Sequence, residues 1–152
     1  FAVQLVGNSC EELRLASKIA CDRGADLIDF NLGCPSKRVT VGYGGSSLLK
    51  DIELVKRLIS VILDSANVPV TIKCRLGWDD NSLTAPEIIA SAEELGVSLV
   101  TVHARTRAQF FGGTPNWNYV KRIKETVNIP IIINGDIING ERVFTTITDP
   151  EG

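Results

Sequence analysis

The apolar positions of this chain fall into five short runs, at 2–6, 27–31, 69–74, 98–103 and 130–134, and each is followed by a stretch with helical periodicity. Strand then helix, repeated, predicts parallel βα units. Near-continuous apolar strands such as Ile131-Ile132-Ile133 predict a parallel sheet covered on both faces. Ser9 with Glu12 reads as a capping box opening a helix that Gly24 ends, and Thr84 with Glu87 repeats the device for a helix ending near Gly96. Residues 51–66 carry Ile52, Val55, Leu58, Ile59 and Ile62 on one stripe, the pattern of a helix facing a core. A further helix is predicted within 116–127.

Five consecutive βα units suit an open doubly wound sheet or part of an eight-stranded barrel. The turn after the first strand, Val6-Gly7-Asn8-Ser9, lacks the G-x-G-x-x-G of a dinucleotide-binding sheet, which favours the barrel. The expected fold is therefore α/β, a partial TIM (β/α)8 barrel of about five parallel βα units. The chain begins at Phe1 and enters a strand-like run directly, and Asp149-Pro150-Glu151-Gly152 interrupts a helix-like segment, so a piece of a longer protein is expected.

Composition narrows the picture further. Of 152 residues, 44% are apolar and 22% charged, as in soluble globular domains, and the formal charge of −2 offers no overall basic field. Any RNA contact must then be local. Cys10, Cys21, Cys34 and Cys74 form no C-x-x-C pair and accompany a single histidine, so no zinc site is predicted and reduced thiols in an intracellular compartment are expected. No apolar run is long enough for a bilayer, and no signal-type segment leads the chain. A soluble protein of the cytoplasm, an organelle matrix or the nucleus is the expectation.

In either architecture the functional face lies at the carboxyl ends of the strands, where this chain gathers polar groups. They are Gln4 on the first strand, Asn31 and Cys34 after the second, Lys73 and Arg75 on the third, His103 and Arg105 on the fourth, and Asn134-Gly135-Asp136 on the fifth. A lysine within Val70-Thr71-Ile72-Lys73-Cys74 is costly in an apolar layer unless it meets a partner or an anionic ligand. Each residue alone also has a plain structural reading, as an edge lysine, a satisfied core histidine, a strand-ending turn or a buried amide. Their convergence on one rim predicts a ligand site. Cys34 follows Gly33 and precedes Pro35 on a forced turn that aims its thiol outward, whereas Cys10, Cys21 and Cys74 read as packing residues. The glycine-rich stretch 41–47 reads as a mobile loop closing over substrate, or as an ordinary βα connection. Phe110-Phe111, just after Arg105 and Arg107, can stack on a base or act as a hydrophobic lid.

With Asn31-Leu32-Gly33-Cys34-Pro35-Ser36, Thr71-Ile72-Lys73-Cys74-Arg75-Leu76-Gly77-Trp78, Val102-His103-Ala104-Arg105-Thr106-Arg107 and Asn134-Gly135-Asp136-Ile137 in this order, the chain resembles the tRNA dihydrouridine synthases over essentially its whole length. The resemblance implies an FMN-dependent TIM barrel followed by a small helical domain, reducing the C5=C6 bond of particular tRNA uridines with NADPH. It implies that Gln4, Lys73, His103, Asn134, Gly135 and Asp136 hold the flavin. Asn31, Arg75 and Arg105, with Lys73 and His103, would lie near the target uracil, and Cys34 would be the general acid that protonates C5 after hydride reaches C6. It implies too that the family's first two strands, its last strand with a phosphate-binding turn and its helical RNA-binding domain lie outside this piece. Weak FMN binding and low or no activity are expected of the piece alone. Two other readings remain open: an FMN barrel acting on a free pyrimidine, like a dihydroorotate dehydrogenase, and a non-catalytic RNA-binding or scaffold barrel. The Arg105-Thr106-Arg107 run favours RNA.

Overall fold

In the computed structural model of the chain, which describes residues 1–137, strands β1 (Ala2–Leu5), β2 (Leu27–Leu32), β3 (Val70–Arg75), β4 (Leu99–His103) and β5 (Ile131–Asn134) form one parallel sheet. The helix-like segment expected ahead of Asp149 lies outside the described residues. Helices α1 (Cys10–Asp22), α3 (Ile52–Ser65), α4 (Ala85–Leu95) and α5 (Trp117–Lys124) follow β1, β2, β3 and β4, and a short α2 (Lys37–Thr40) and a 3₁₀ helix (Gly45–Lys50) stand between β2 and α3. The strand order is β1-β2-β3-β4-β5, with every neighbour consecutive in sequence. A doubly wound sheet reverses its order at a switch point, whereas a barrel adds each strand beside the last. The sheet is thus a barrel segment, with α1 packed on α3 and α3 on α4 in one layer.

The expectation of two covered faces holds for β3, buried at every residue but Lys73, and not for β2 and β5. Along β2, Ile28, Phe30 and Leu32 are fully buried against the helices, while Leu27, Asp29 and Asn31 between them are only partly covered. In β5 the same alternation leaves Ile132 and Asn134 exposed between buried Ile131 and Ile133. The helix-covered face holds Val55, Leu58, Ile59 and Ile62 of the predicted stripe on α3. The other face carries the polar side chains, in rows set by the register: Asn31 beside Lys73 beside Thr101, then Arg75 beside His103 beside Asn134. Polar and apolar residues are therefore separated by strand alternation.

The caps follow the sequence in part. Ser9 accepts from the Glu12 amide at the start of α1, and Asp51 accepts from Leu54 at the start of α3. Thr84 departs from its predicted role, making no side-chain cap, because its hydroxyl donates to the Leu49 carbonyl at 2.9 Å. It ties α4 to the segment that supports the site.

Candidate functional site

The turn that carries Cys34 is held from both sides. Asn31 Oδ1 accepts the backbone N–H groups of Gly33 and Cys34 at 3.0 and 2.9 Å, an Asx turn closed on the thiol residue. The Cys34 carbonyl accepts from the Ser46 amide at 3.1 Å and from its hydroxyl at 2.9 Å, and Ser46 is fully buried. Gly45 lies at φ +56°, and a Cβ there would stand 2.8 Å from the Cys34 oxygen and 3.0 Å from its Cβ. Only glycine lets the chain pass so closely. The stretch read from sequence as a mobile loop begins at α2 and runs into the 3₁₀ helix, which forms the seat of Cys34.

From this turn a polar relay runs down the strands. Asn31 Nδ2 donates to Gln4 Oε1 at 2.9 Å, Gln4 Nε2 donates to Asp29 at 2.6 Å, and Thr71 donates to the other Asp29 oxygen at 2.7 Å. Gln4 and Asn31 are thus joined, and Asn31 is engaged chiefly in positioning Cys34. Lys73 stands across the ladder from Asn31, partly buried, with no hydrogen bond or ion pair to any described residue. Burial, with some help from the Arg75 cation, pushes its ammonium below the usual lysine range. A partly desolvated, unpartnered cation is what an electron-rich ligand would satisfy.

Arg75 is almost wholly buried and bridges the cysteine turn to the segment after β4. Its Nε donates to the Gly33 carbonyl at 3.0 Å, and Nη1 donates to Thr106 and Phe110 carbonyls at 3.0 and 2.7 Å. Nη2 remains uncommitted among the described residues. Arg105 is tied more completely. Its Nε and Nη2 donate to the carbonyls of Gly112 and Gly113, while Nη1 and Nη2 grip the Asp136 carboxylate at 3.0 and 2.5 Å. The fifth N–H direction meets His103 Nε2 at 3.4 Å. All of its donors are engaged. Asp136, at φ +50°, is held by Arg105, which keeps its carboxyl below the usual range.

These contacts orient His103. A guanidinium only donates, so Nε2 accepts and the ring proton sits on Nδ1. Gly135, at φ +114°, lies so close that a Cβ would be 2.9 Å from the His103 ring, and its carbonyl accepts from Trp117 Nε1 at 3.1 Å. Burial, together with the Arg75, Lys73 and Arg105 cations, pushes the His103 imidazole down to about 4. The folded value is depressed, so the unfolded chain takes up the proton first, and stability is lost as pH falls from about 6.5 towards 4. Because His103 is the only histidine of this chain, its imidazole NMR signal is expected to titrate near 4. Titration at the ordinary value near 6.5 would place the ring in solvent.

Sequence reasoning missed several contributors. Asp29 and Thr71 anchor Gln4, and their signal was the polar alternation in β2 and β3. Ser46 and Gly45 were read only as part of a mobile loop or an ordinary βα connection. The resemblance assigns Asp136 to the flavin, and in the structure both its carboxylate oxygens accept from Arg105, a contact the sequence reading did not include. Cys74 is fully buried in the core, and burial pushes its thiol up to about 12. Cys10 and Cys21 pack partly buried against that core.

Fold and site together define a barrel-type protein with a cluster of polar side chains at the carboxyl ends of its strands. A family model described as dihydrouridine synthase (Dus) matches residues 1–147, and the chain belongs to that family. The "Probable tRNA-dihydrouridine synthase" of Rhizobium leguminosarum bv. phaseoli is 46% identical over 135 residues, covering 89% of this chain and 43% of that protein. The "tRNA-dihydrouridine synthase B" of Pasteurella multocida is 41% identical over 141 residues, covering 93% of this chain and 42% of that protein. The chain thus spans less than half the length of these relatives. Among solved structures, dihydrodipicolinate synthase from Acinetobacter baumannii aligns with a TM-score of 0.60 at 18% identity, covering 87% of this chain and 44% of that one. A 2,3-dimethylmalate lyase aligns with a TM-score of 0.62 at 12% identity, covering 96% of this chain and 51% of that one. At such identities the likeness concerns the fold alone.

Proposed function

We propose that this chain is part of a flavoenzyme that reduces specific uridines of tRNA to 5,6-dihydrouridine, with FMN as cofactor and NADPH as reductant. The observation that carries the reading is the juxtaposition of an unpartnered, partly buried Lys73 with a cysteine turn held rigid by Asn31 and Ser46. A flavin fits this rim because its electron-rich ring edge would satisfy the orphan ammonium of Lys73. Gln4, Lys73, His103, Asn134 and Gly135 would hold it, with Asp136 acting through Arg105. Bound FMN supplies the hydride for C6 of the uracil.

Every other requirement falls to the chain. Cys34 Sγ holds the proton that C5 takes up, so one hydride and one proton together saturate the C5=C6 bond. Lys73 offsets the negative charge that grows on the acceptor as the hydride arrives. Neutral His103 offers its Nδ1–H as a donor, and Arg75 offers its uncommitted Nη2 to the uracil or the flavin. Arg105, read from sequence as a substrate contact, fits better as the residue that orients His103 and the segment to Gly113. The target uridine must leave its stack to reach this rim. Family membership favours tRNA over a free pyrimidine as substrate, and no helix among the described residues is long and apolar enough to cross a membrane.

The test uses the full-length parent. Purified protein is expected to be yellow with bound flavin, and deletion of its gene to remove dihydrouridine from at least one tRNA position. Unchanged dihydrouridine after deletion, in a cell without a second such enzyme, would overturn the reading.

A further inference from the structure

One cavity lies outside the site just described, at the far end of the 3₁₀ helix that seats Cys34. It has a volume of about 280 Å³ and is walled by Thr40, Tyr43, Ser47, Leu54, Lys50 and Trp78, with Leu48 and Asp51 completing it. Tyr43 is 73% exposed and stands at φ +55°, a left-handed conformation in which tyrosine is uncommon. Lys50 Nζ lies 3.5 Å from the centre of the Trp78 ring, and the Arg107 guanidinium lies 4.5 Å from the same ring and 5.3 Å from Phe110. Neither cation forms a salt bridge among the described residues. The Arg107 Nε is buried with no hydrogen-bond partner. Two cations are therefore assembled on one aromatic ring without an ion pair among the described residues, although Asp51 in the cavity wall keeps its negative charge. Asp51 engages its carboxylate at the start of α3, and Asp79, next to Trp78, accepts from the Asn81 amide.

We infer that this cavity binds one unpaired nucleotide of the RNA substrate, distinct from the uridine being reduced, its base stacked on Tyr43 and its phosphate facing Lys50. The inference rests on the reading of the protein as a tRNA-modifying enzyme, which supplies an RNA strand at the neighbouring rim. Aromatic side chains stack on any base and lysine meets phosphate, so an exposed tyrosine beside Lys50, which forms no ion pair among the described residues, matches a single-stranded nucleotide in both its parts. The volume admits a base with its sugar and little more. In a chain of net charge −2, such a local cluster is the kind of RNA contact the composition allows. The 3₁₀ helix Gly45–Lys50 begins at the cysteine turn and ends at this cavity, and a 3₁₀ helix rises about 2 Å per residue. The nucleotide held there is consequently close to the target along the strand, and the 3₁₀ helix couples its position to that of Cys34.

The experiment uses the full-length protein with Tyr43→Ala, Tyr43→Phe and Lys50→Gln. Tyr43→Ala is expected to raise KM for tRNA about 5–150-fold, the range set by one lost base stack, with a smaller effect on kcat, while Tyr43→Phe stays near wild type. Lys50→Gln should also raise KM and flatten its dependence on salt. Separately, a short oligoadenylate, which has no uridine to reduce, should quench tryptophan fluorescence in wild type and not in Tyr43→Ala. Adenosine monophosphate alone quenching as strongly as the oligomer would assign the cavity to a free nucleotide and overturn the inference. Reduction of tRNA with unchanged KM in Tyr43→Ala and no quenching would overturn it while leaving the proposed function standing. Tyr43-dependent quenching in a protein that reduces no tRNA would leave the cavity standing and remove the proposed activity.

Discussion

Replacing Cys34 with alanine in the full-length protein is expected to slow dihydrouridine formation about 10²–10⁴-fold, the usual worth of a positioned general acid, with flavin content unchanged. The separation of rate from folding follows from how the turn is built. Every hydrogen bond that shapes it runs to the backbone of residues 33 and 34, from Asn31, Ser46 and Arg75, and none uses the sulfur. Removing Sγ therefore takes away a proton and leaves the seat intact. Serine at the same position restores shape and a poorer acid, so its rate should fall between the two. Anaerobic reoxidation of the reduced flavin by tRNA under single-turnover conditions reads the step directly. A rate for the alanine variant within about threefold of wild type would assign the proton to another group.

Arg105→Ala is expected to be the most damaging single change to the fold around the site. The side chain is 2% exposed, and its donors meet two backbone carbonyls, the Asp136 carboxylate and the His103 ring. Truncation leaves those carbonyls without their donor and opens a void, at an expected cost of about 3 kcal/mol. For a chain of this size that lowers the unfolding midpoint by about 6–12 °C. Arg105→Lys keeps the charge and loses the fork, and should recover only a minor part. The positioning role has its own signature. Loss of the Nη1 contact frees His103 Nε2 and removes one of the cations that depress its ring, so the His103 titration should move upward from about 4. Thermal unfolding gives the first result and NMR the second. A variant as stable as wild type, with an unmoved histidine, would return Arg105 to the role of a plain substrate contact.

Much of the scaffold was legible along the chain. The five runs became five strands, and the stripe at Ile52, Val55, Leu58, Ile59 and Ile62 became α3, because periodicity is set by neighbours in sequence. Thr84 was misread because a capping box describes only local options, and the nearby Leu49 carbonyl offered its hydroxyl another acceptor. The two-sided burial expected of the strands is met in β3 and not in β2 or β5. Ile131-Ile132-Ile133 reads as continuous, yet the pleat sends Ile132 alone to the open face.

The sequence by itself determined the order of elements and the rim on which Gln4, Asn31, Cys34, Lys73, Arg75, His103 and Asn134 would meet, because strand alternation and strand ends are local properties. Only the tertiary structure decided that the sheet adds strands in a single direction, that Gly45 and Ser46 hold Cys34, that Arg105 is closed on Asp136, and that Lys73 stands without a partner. The physical reason is separation along the chain. The decisive hydrogen bonds join residues 12 to 42 positions apart, so the register of parallel strands, and not the local motif, chooses which polar atoms are satisfied and which are left for a ligand.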